Sequence, residues 1–445
     1  MEPKEENRVN HPDDLHKVLG LGNLKFIGYI DEQCAKNREL ERQINGQSLG
    51  DSVASTPAEI SLTPQLITSP MVRDAFKHND WKTIQKLSDQ ADADLKPMID
   101  QCINKPFKAW VLVMDQNTGL DYHISYSSNG SYLWTFCPYV DSATDPNNPN
   151  VKYSCTAQVG SYSKTTGIAG VHSYLLKLVK ITAGATISAL IAYFVNRLLK
   201  KGIDFLASDL SIFLTDAATD AGITALFTIG TYVLPIFVPC AIFAIVFIGI
   251  HLLWEWLNKH FTICVYVNNW DTDHDWYIRD QALSNAVNPG KNNNNSLNIK
   301  IPKLIPPGTN PFSKIWVPSD ISSQLMHTTD DEVVVSYVYL VYQNSSTFAQ
   351  GCSFAFALEC ESTNSGMTYA FQCPWVDSNA HYMEDSVQNA NSFLSKARAH
   401  WVESTSTYQV TASNGKLIEA TIDALTGGDG QGSDNYKIII NLANN

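Results

Sequence analysis

The sequence predicts an α+β multidomain fold: antiparallel β-sandwich modules flanking a hydrophobic helical bundle or hairpin, with a helical region at the N-terminus. Three observations predict it. Helical patterning precedes Lys108. Alternating apolar and polar residues of β-branched and aromatic type recur after Lys108 and again after Phe261. Between these β regions, Ala221 to Trp254 runs for 34 residues without an Asp, Glu, Lys or Arg.

Composition narrows the class. Charged residues make up 17% of the 445-residue chain, where a typical soluble protein has about 25%. With 44% hydrophobic residues, a disordered acidic chain is excluded. A formal charge of −13 and no long Lys/Arg run argue against nucleic acid as a partner. Mean hydropathy of −0.13 is too polar for a polytopic membrane protein. Met1 to Lys17 contains no apolar stretch of the secretory type, so the sequence predicts a soluble chain, cytoplasmic or released by a non-classical route. Nine scattered Cys favour reduced thiols; Cys137/Cys155 and Cys352/Cys360 are the pairs that oxidising surroundings would offer.

The elements follow in order. Residues 1–65 are polar, with a helix over Asn23 to Gln43 and then a Ser/Thr/Gly/Pro-rich linker. Residues 66–106 read as helix starting after Pro70 and broken at Pro97. A small β module occupies 107–165, with Asn129-Gly130 as its hairpin signal. The hydrophobic helical region is 166–260, with helices over 172–199 and 221–258 bent at Pro235 and Pro239. A β-sandwich domain for lipid or glycan binding covers 261–445, and Pro289 to Pro311 is a long surface loop within it.

The two β regions share a pattern. Val111-x-Val113-x-Asp115-x-Asn117-Thr118-x-x-Asp121-Tyr122-x-Ile124 matches Val265-x-Val267-x-Asn269-x-Asp271-Thr272-x-x-Asp275-Trp276-x-Ile278. Cys137-Pro138-Tyr139-Val140-Asp141-Ser142 likewise matches Cys373-Pro374-Trp375-Val376-Asp377-Ser378. Two arrangements are open: a compact module plus a full sandwich, or one sandwich built from both flanks.

Residues 261–425, through FTICVYVNNWDTDHDWYIRD, GCSFAFALE, YAFQCPW and ASNGKLIEATIDALTG, resemble the aegerolysins, small β-sandwich proteins that bind membrane lipids. Val376 stands where that family continues Cys-Pro-Trp with Gly, and its Cys-Gly-Arg segment has no counterpart. The resemblance implies a lipid-binding module without fixing a lipid.

The uncharged stretch admits three readings. A helix buried on all sides is also apolar all round. Ile236 to Trp254, with 19 uncharged residues, is long enough for a constitutive anchor. The preferred reading is a conditionally exposed insertion hairpin, as in α-helical pore-forming toxins. Ile236, Phe237, Ile242, Phe243, Val246, Phe247 and Ile250 would enter the bilayer, with Trp254 and Trp256 at its interface. Loop-tip aromatics Trp270, Trp276 and Trp375, with Tyr139 and Trp134 in the shorter copy, are the candidate contacts to a lipid or glycan receptor. The predicted function is therefore membrane permeabilisation by a homo-oligomer, with a non-lytic adhesin as the alternative.

Catalytic signatures are missing: no GxSxG, HExxH or GxxxxGK[ST] occurs. Asp271-x-Asp273-x-Asp275 fails as an EF-hand because Trp276 and Ala282 stand where Gly and an acid are needed. No enzyme activity, metal or cofactor is predicted.

Overall fold

The computed structural model describes residues 16–17, 20–44, 65–136, 139–141, 153–178, 192, 227–229, 262–287, 296–307, 309, 319–320, 333–345, 351–374, 377–423, 425 and 435–445. In chain order these form β1 (Leu24–Tyr29), α1 (Ile30–Ile44), β2 (Gln65–Thr68), α2 (Pro70–Lys77), α3 (Trp81–Asn104), β3 (Val111–Asp115), β4 (Asp121–Tyr126), β5 (Tyr132–Phe136), β6 (Tyr139–Asp141), β7 (Tyr153–Ser163), β8 (Ile168–Leu178) and β9 (Phe227–Ile229). There follow β10 (Thr262–Asn269), β11 (Trp276–Ser284), β12 (Ala286–Val287), β13 (Ser296–Ile301), β14 (Val333–Asn344), β15 (Cys352–Cys360), β16 (Gly366–Cys373), β17 (Ala380–Glu384), α4 (Ala390–Ala397), β18 (Thr407–Thr411), β19 (Leu417–Ile422) and β20 (Asn435–Leu442).

The fold is mostly β, which corrects the α+β expectation. One large sheet runs β1-β3-β4-β5-β7-β8-β2-β14-β10-β20-β19-β18, and a second runs β13-β11-β15-β16-β17. The short strand β2 joins the two flanks, pairing Leu66 with Gly170 of β8 and with Val335 of β14. Strands from 107–165 and strands from 261–445 therefore belong to one sheet. The second sheet lies across its C-terminal half, where Tyr342 and Phe354 stack at 3.8 Å.

No hydrophobic helical bundle is present among the described residues. The helix expected over 172–199 opens instead as β8, whose eleven residues pair with β7 from Ile168↔Ser163 to Leu178↔Tyr153. Its sequence, IAGVHSYLLKL, alternates as well as it spirals, and the β7 ladder decides the period. Phe227–Ile229, expected within a helix over 221–258, pairs with Leu176 to Leu178. No helix among the described residues is long and apolar enough to cross a membrane.

Smaller corrections have local causes. The stretch expected as one helix from Asn23 begins as β1, paired with β3, and turns helical only at Ile30. Pro97 sits inside α3 without ending it. Leu95, Met98 and Cys102 are buried on both sides of the proline, and their packing holds the helix through the lost bond. The break falls earlier, at Asn79 with φ 53°, between α2 and α3. Cys352 and Cys360 stand at opposite ends of β15 and cannot pair, whereas Cys352 lies opposite Cys373 with neither in a disulfide.

Burial explains the run-like strands. β10 is buried at every position, lying inside the large sheet between β14 and β20. Asn441 of β20 donates to the Phe76 carbonyl at 3.0 Å, tying α2 to the sheet. On the second sheet, Ala282, Ala355 and Ala370 face one another across β11, β15 and β16. That row of small side chains leaves room for α4, which seats Phe393 and Leu394 there.

Register fixes which end of the sheet each connection leaves from. Val171, Gln65 and Ser336 lie level across β8, β2 and β14. Seven residues further along both long strands, Leu178 is level with Gln343, the partner of Thr262 at the start of β10. Phe227 pairs with Leu178 at this same end. Intervals 179–226 and 230–261 therefore both start and finish at one end of the sheet. The opposite end carries Asn269, Leu442, Leu417 and Val333.

Candidate functional site

At that opposite end the chain passes from the large sheet to the second through residues 270–275. Nearly every polar side chain here is engaged. Asn269 is fully buried; its carbonyl oxygen accepts from the Asp271 amide at 3.0 Å, and its amide donates to the Ile301 and Pro302 carbonyls at 2.9 and 3.0 Å. Asp271 repeats the turn one step on, accepting from the Asp273 amide at 2.9 Å. The two successive Asx turns lift the chain out of one sheet and into the other.

Asp271 is the hub of this corner. Its Oδ1 also accepts from Lys416 Nζ at 3.0 Å, and its Oδ2 from Trp276 Nε1 at 3.2 Å and His274 Nδ1 at 3.1 Å. Burial pushes the Asp271 carboxyl up, but the Asp273 amide, Lys416, Trp276 and His274 together outweigh it and hold it below the usual carboxylate range. Lys416 donates as well to Asp273 at 2.9 Å, which lowers that carboxyl too. Partial burial works against the Lys416 ammonium, yet the two carboxylates raise its pKa. Asp275 completes the corner, pairing with Lys300 at 2.6 Å and accepting from the Lys303 amide at 2.7 Å.

Asp271, His274 and Cys360 bring possible ligand atoms within 4.8 Å of one another. They do not fit a metal. The cation position beside Asp271 is filled by Lys416, and burial pushes the Cys360 thiol up, away from the thiolate a metal needs. The acidic run Asp271-x-Asp273-x-Asp275 is thus a salt-bridged corner.

Beside the corner a cleft of about 730 Å³ opens, within the range of small-molecule sites. Its walls come from α2 (Arg73, Lys77), the corner (Trp270, Thr272) and the β18–β19 hairpin (Gln409, Lys416). Glu419, also on the wall, accepts from Asn79 and Gln409. The positions that build this site are held by distant pairings: β19 lies against β20, and β20 against β10.

No protein-family model matches the chain, and no curated protein matches it. The role of the site rests on its geometry.

The structure separates the aromatics expected at loop tips. Trp134 is buried, its ring lying over Gly160 of β7, where a Cβ would come within 2.0 Å of the indole. Trp276 is buried with its Nε1 on Asp271. Trp270 is 5% exposed and donates to Asn441 at 2.9 Å, and it is the one of these three that lines the cleft. Tyr139 begins β6 opposite Cys155 of β7, near the end of the sheet that Leu178 and Thr262 occupy. Trp375 lies outside the described residues, as do Ile236, Phe237, Ile242, Phe243, Val246, Phe247, Ile250, Trp254 and Trp256.

Arg73, Lys77, Lys416 and Glu419 were not singled out by the sequence. For Lys416 a signal was present. Asn414-Gly415, with Gly415 at φ 81°, is a hairpin turn that places the next residue at a strand start. Which end of the sandwich that turn occupies depends on the β19–β20 pairing, which the local sequence does not encode.

Proposed function

We propose that this protein acts on membranes without catalysis, its β-rich body carrying the uncharged interval Ala221 to Trp254 to a lipid bilayer and permeabilising it as a homo-oligomer. One observation carries the reading: 34 consecutive uncharged residues stand in a chain that is otherwise polar. Ile236 to Trp254 has the apolar length that a bilayer crossing requires. Trp254 and Trp256, followed by Lys259, have the composition of an interfacial anchor. Leu178, Phe227 and Thr262 lie at one end of the sheet, so the intervals they border would meet a membrane from that end. The resemblance of 261–425 to lipid-binding aegerolysins supports the same reading, with a lipid or glycan as receptor.

The test is dye release from liposomes of varied lipid composition. The unmodified protein is expected to release dye, and Val246→Asp is expected to abolish release while leaving the thermal midpoint unchanged. A charge at the bilayer centre costs about 2.5–3.5 kcal/mol on insertion scales. Absence of leakage on every lipid mixture would remove the permeabilising function. Glycan binding without vesicle association would replace it with the non-lytic adhesin.

A further inference from the structure

The second sheet carries a rung of two thiols that neither the corner nor the membrane reading uses. β15 and β16 pair in register from Glu359↔Gly366 to Cys352↔Cys373. Residues directly opposite in an antiparallel pair project to the same face. The rungs Phe356/Tyr369, Phe354/Phe371 and Cys352/Cys373 share one face, and all six residues are buried in the core. Side chains meet along it, with ring centroids 5.7 Å apart at both aromatic rungs. At the last rung the aromatics give way to thiols, Cys352 at 3% and Cys373 at 1% exposure. Such partners stand about 4.5–5.5 Å apart at Cα, inside the range of about 4.4–6.8 Å that a disulfide spans. The backbones stay together past this rung. A Cβ on Gly351 would fall 2.2 Å from the Cys373 carbonyl oxygen, and Asn285 donates to the Gly351 carbonyl at 2.7 Å. The other cysteines on described strands lack such a partner. Cys264 lies opposite Val341 and Lys437, Cys360 opposite Trp276, and Cys155 opposite Tyr139 and Leu176.

We propose that Cys352 and Cys373 form a modification site, closing to a cross-strand disulfide when the chain meets a small-molecule disulfide such as glutathione disulfide. One thiolate of the pair attacks a sulfur of glutathione disulfide, forming a mixed disulfide and releasing one glutathione. The second thiolate then attacks the protein sulfur of that mixed disulfide and releases the other glutathione. Two cysteine thiols are oxidised, one glutathione disulfide is reduced, and the two thiol protons pass to the departing thiolates. The bond ties the open end of the β15–β16 hairpin, remote from its turn at residues 361–365. A closed loop of this kind stabilises chiefly by restricting the unfolded chain. Burial sets the rate. It pushes the Cys352 thiol up to about 12, which leaves little thiolate at neutral pH and makes exchange in the folded protein slow. The assignment rests on strand register and is independent of the membrane reading.

The full chain, incubated with a glutathione and glutathione disulfide couple, is alkylated and mapped by mass spectrometry without reduction. One incubation is in buffer, and a second contains urea just below the unfolding midpoint, where local opening is more frequent. A linked Cys352–Cys373 peptide pair, lighter by two hydrogens, is expected in the second incubation. In buffer the same link is expected to form at least about tenfold more slowly. The oxidised protein should melt at a higher temperature than the reduced one, and Cys352→Ala should abolish both the link and the rise. If that variant does not fold, the peptide map of the unmodified chain decides. Absence of the link in urea, a larger yield of Cys352–Cys360, or glutathione retained on either cysteine without closure would overturn the assignment. A thermal midpoint that fails to rise on oxidation would show that the bond does not fit the native register, and would overturn it too. Dye release from liposomes does not enter these readouts, so the failure of either proposal is visible separately.

Discussion

The stretches Val111 to Tyr122 and Val265 to Trp276 carry one sequence pattern and make two different structures. Both begin alike: Asp115 accepts from the Asn117 amide at 2.9 Å, and Asn269 accepts from the Asp271 amide at 3.0 Å. They part at the next step. Gly119, at φ 69°, closes onto the Asp115 carbonyl at 2.7 Å, and β3 and β4 pair directly as a hairpin. In the second stretch Asp273 stands at the matching position and makes another Asx turn on Asp271. The chain leaves its sheet, and β11 pairs with β13 and β15 instead of with β10. A single residue able to adopt positive φ thus separates a turn that returns from a corner that crosses over. The crossing corner then needs outside support, which Lys416 and Lys300 supply.

The largest expected effect breaks that support. Asp271→Ala leaves Trp276 and His274 without their acceptor and Lys416 with only the exposed Asp273, and is expected to cost about 3 kcal/mol in urea unfolding. The matching change in the first stretch, Asn117→Ala, removes one exposed contact to Ser319 and is expected to cost less than about 1 kcal/mol. Equal losses at the two positions would erase the distinction. The Asp271 effect also depends on pH. Its folded pKa lies below the unfolded value of about 3.9, so its stabilisation is fully present above that value and fades as pH falls through the lower one. The stability difference between wild type and Asp271→Ala is therefore expected to be constant from pH 7 to 5 and to narrow at pH 3.

A middle-sized effect is expected at the hairpin. Gly119→Ala meets no atom within 4 Å, so only backbone strain opposes it, at about 1 kcal/mol. Measured by urea unfolding, a loss near zero would show that the hairpin does not depend on the left-handed glycine. The smallest effect belongs to Asp273→Asn. That side chain is 62% exposed, and Lys416 retains Asp271 without it, so no resolvable change in unfolding midpoint is expected.

Legibility in the sequence followed the same division. The Asn129-Gly130 turn is read correctly because its information is local: Gly130 takes φ 93°, and Ser127 pairs with Ser131 across the loop. The strands β10 and β14 are legible as continuous apolar runs. β8 is not, because IAGVHSYLLKL satisfies either period and only the eleven-residue ladder with β7 settles it. Trp134 and Trp276 are large aromatics near turns, and neither position alone says inside or outside. Gly160 beneath one and Asp271 beside the other decide for the interior. At the site, the run Asp271-x-Asp273-x-Asp275 draws notice in the sequence and fails there as a calcium loop, while nothing local marks Arg73 and Lys77.

The sequence by itself determined the β-rich texture on both flanks, the turns with their own glycines, and the uncharged interval from Ala221 to Trp254. These are properties of neighbouring residues, set by side-chain alternation, backbone freedom and the absence of charge. Tertiary structure alone decided that β2 stitches the flanks into one sheet and that the acidic run finds its cation in Lys416, 145 residues away from Asp271. It alone decided, too, that α2 lays Arg73 and Lys77 along a cleft. Pairing between distant strands carries no local signature, because any edge with free amides and carbonyls accepts any other. The choice is made by the packing of the whole.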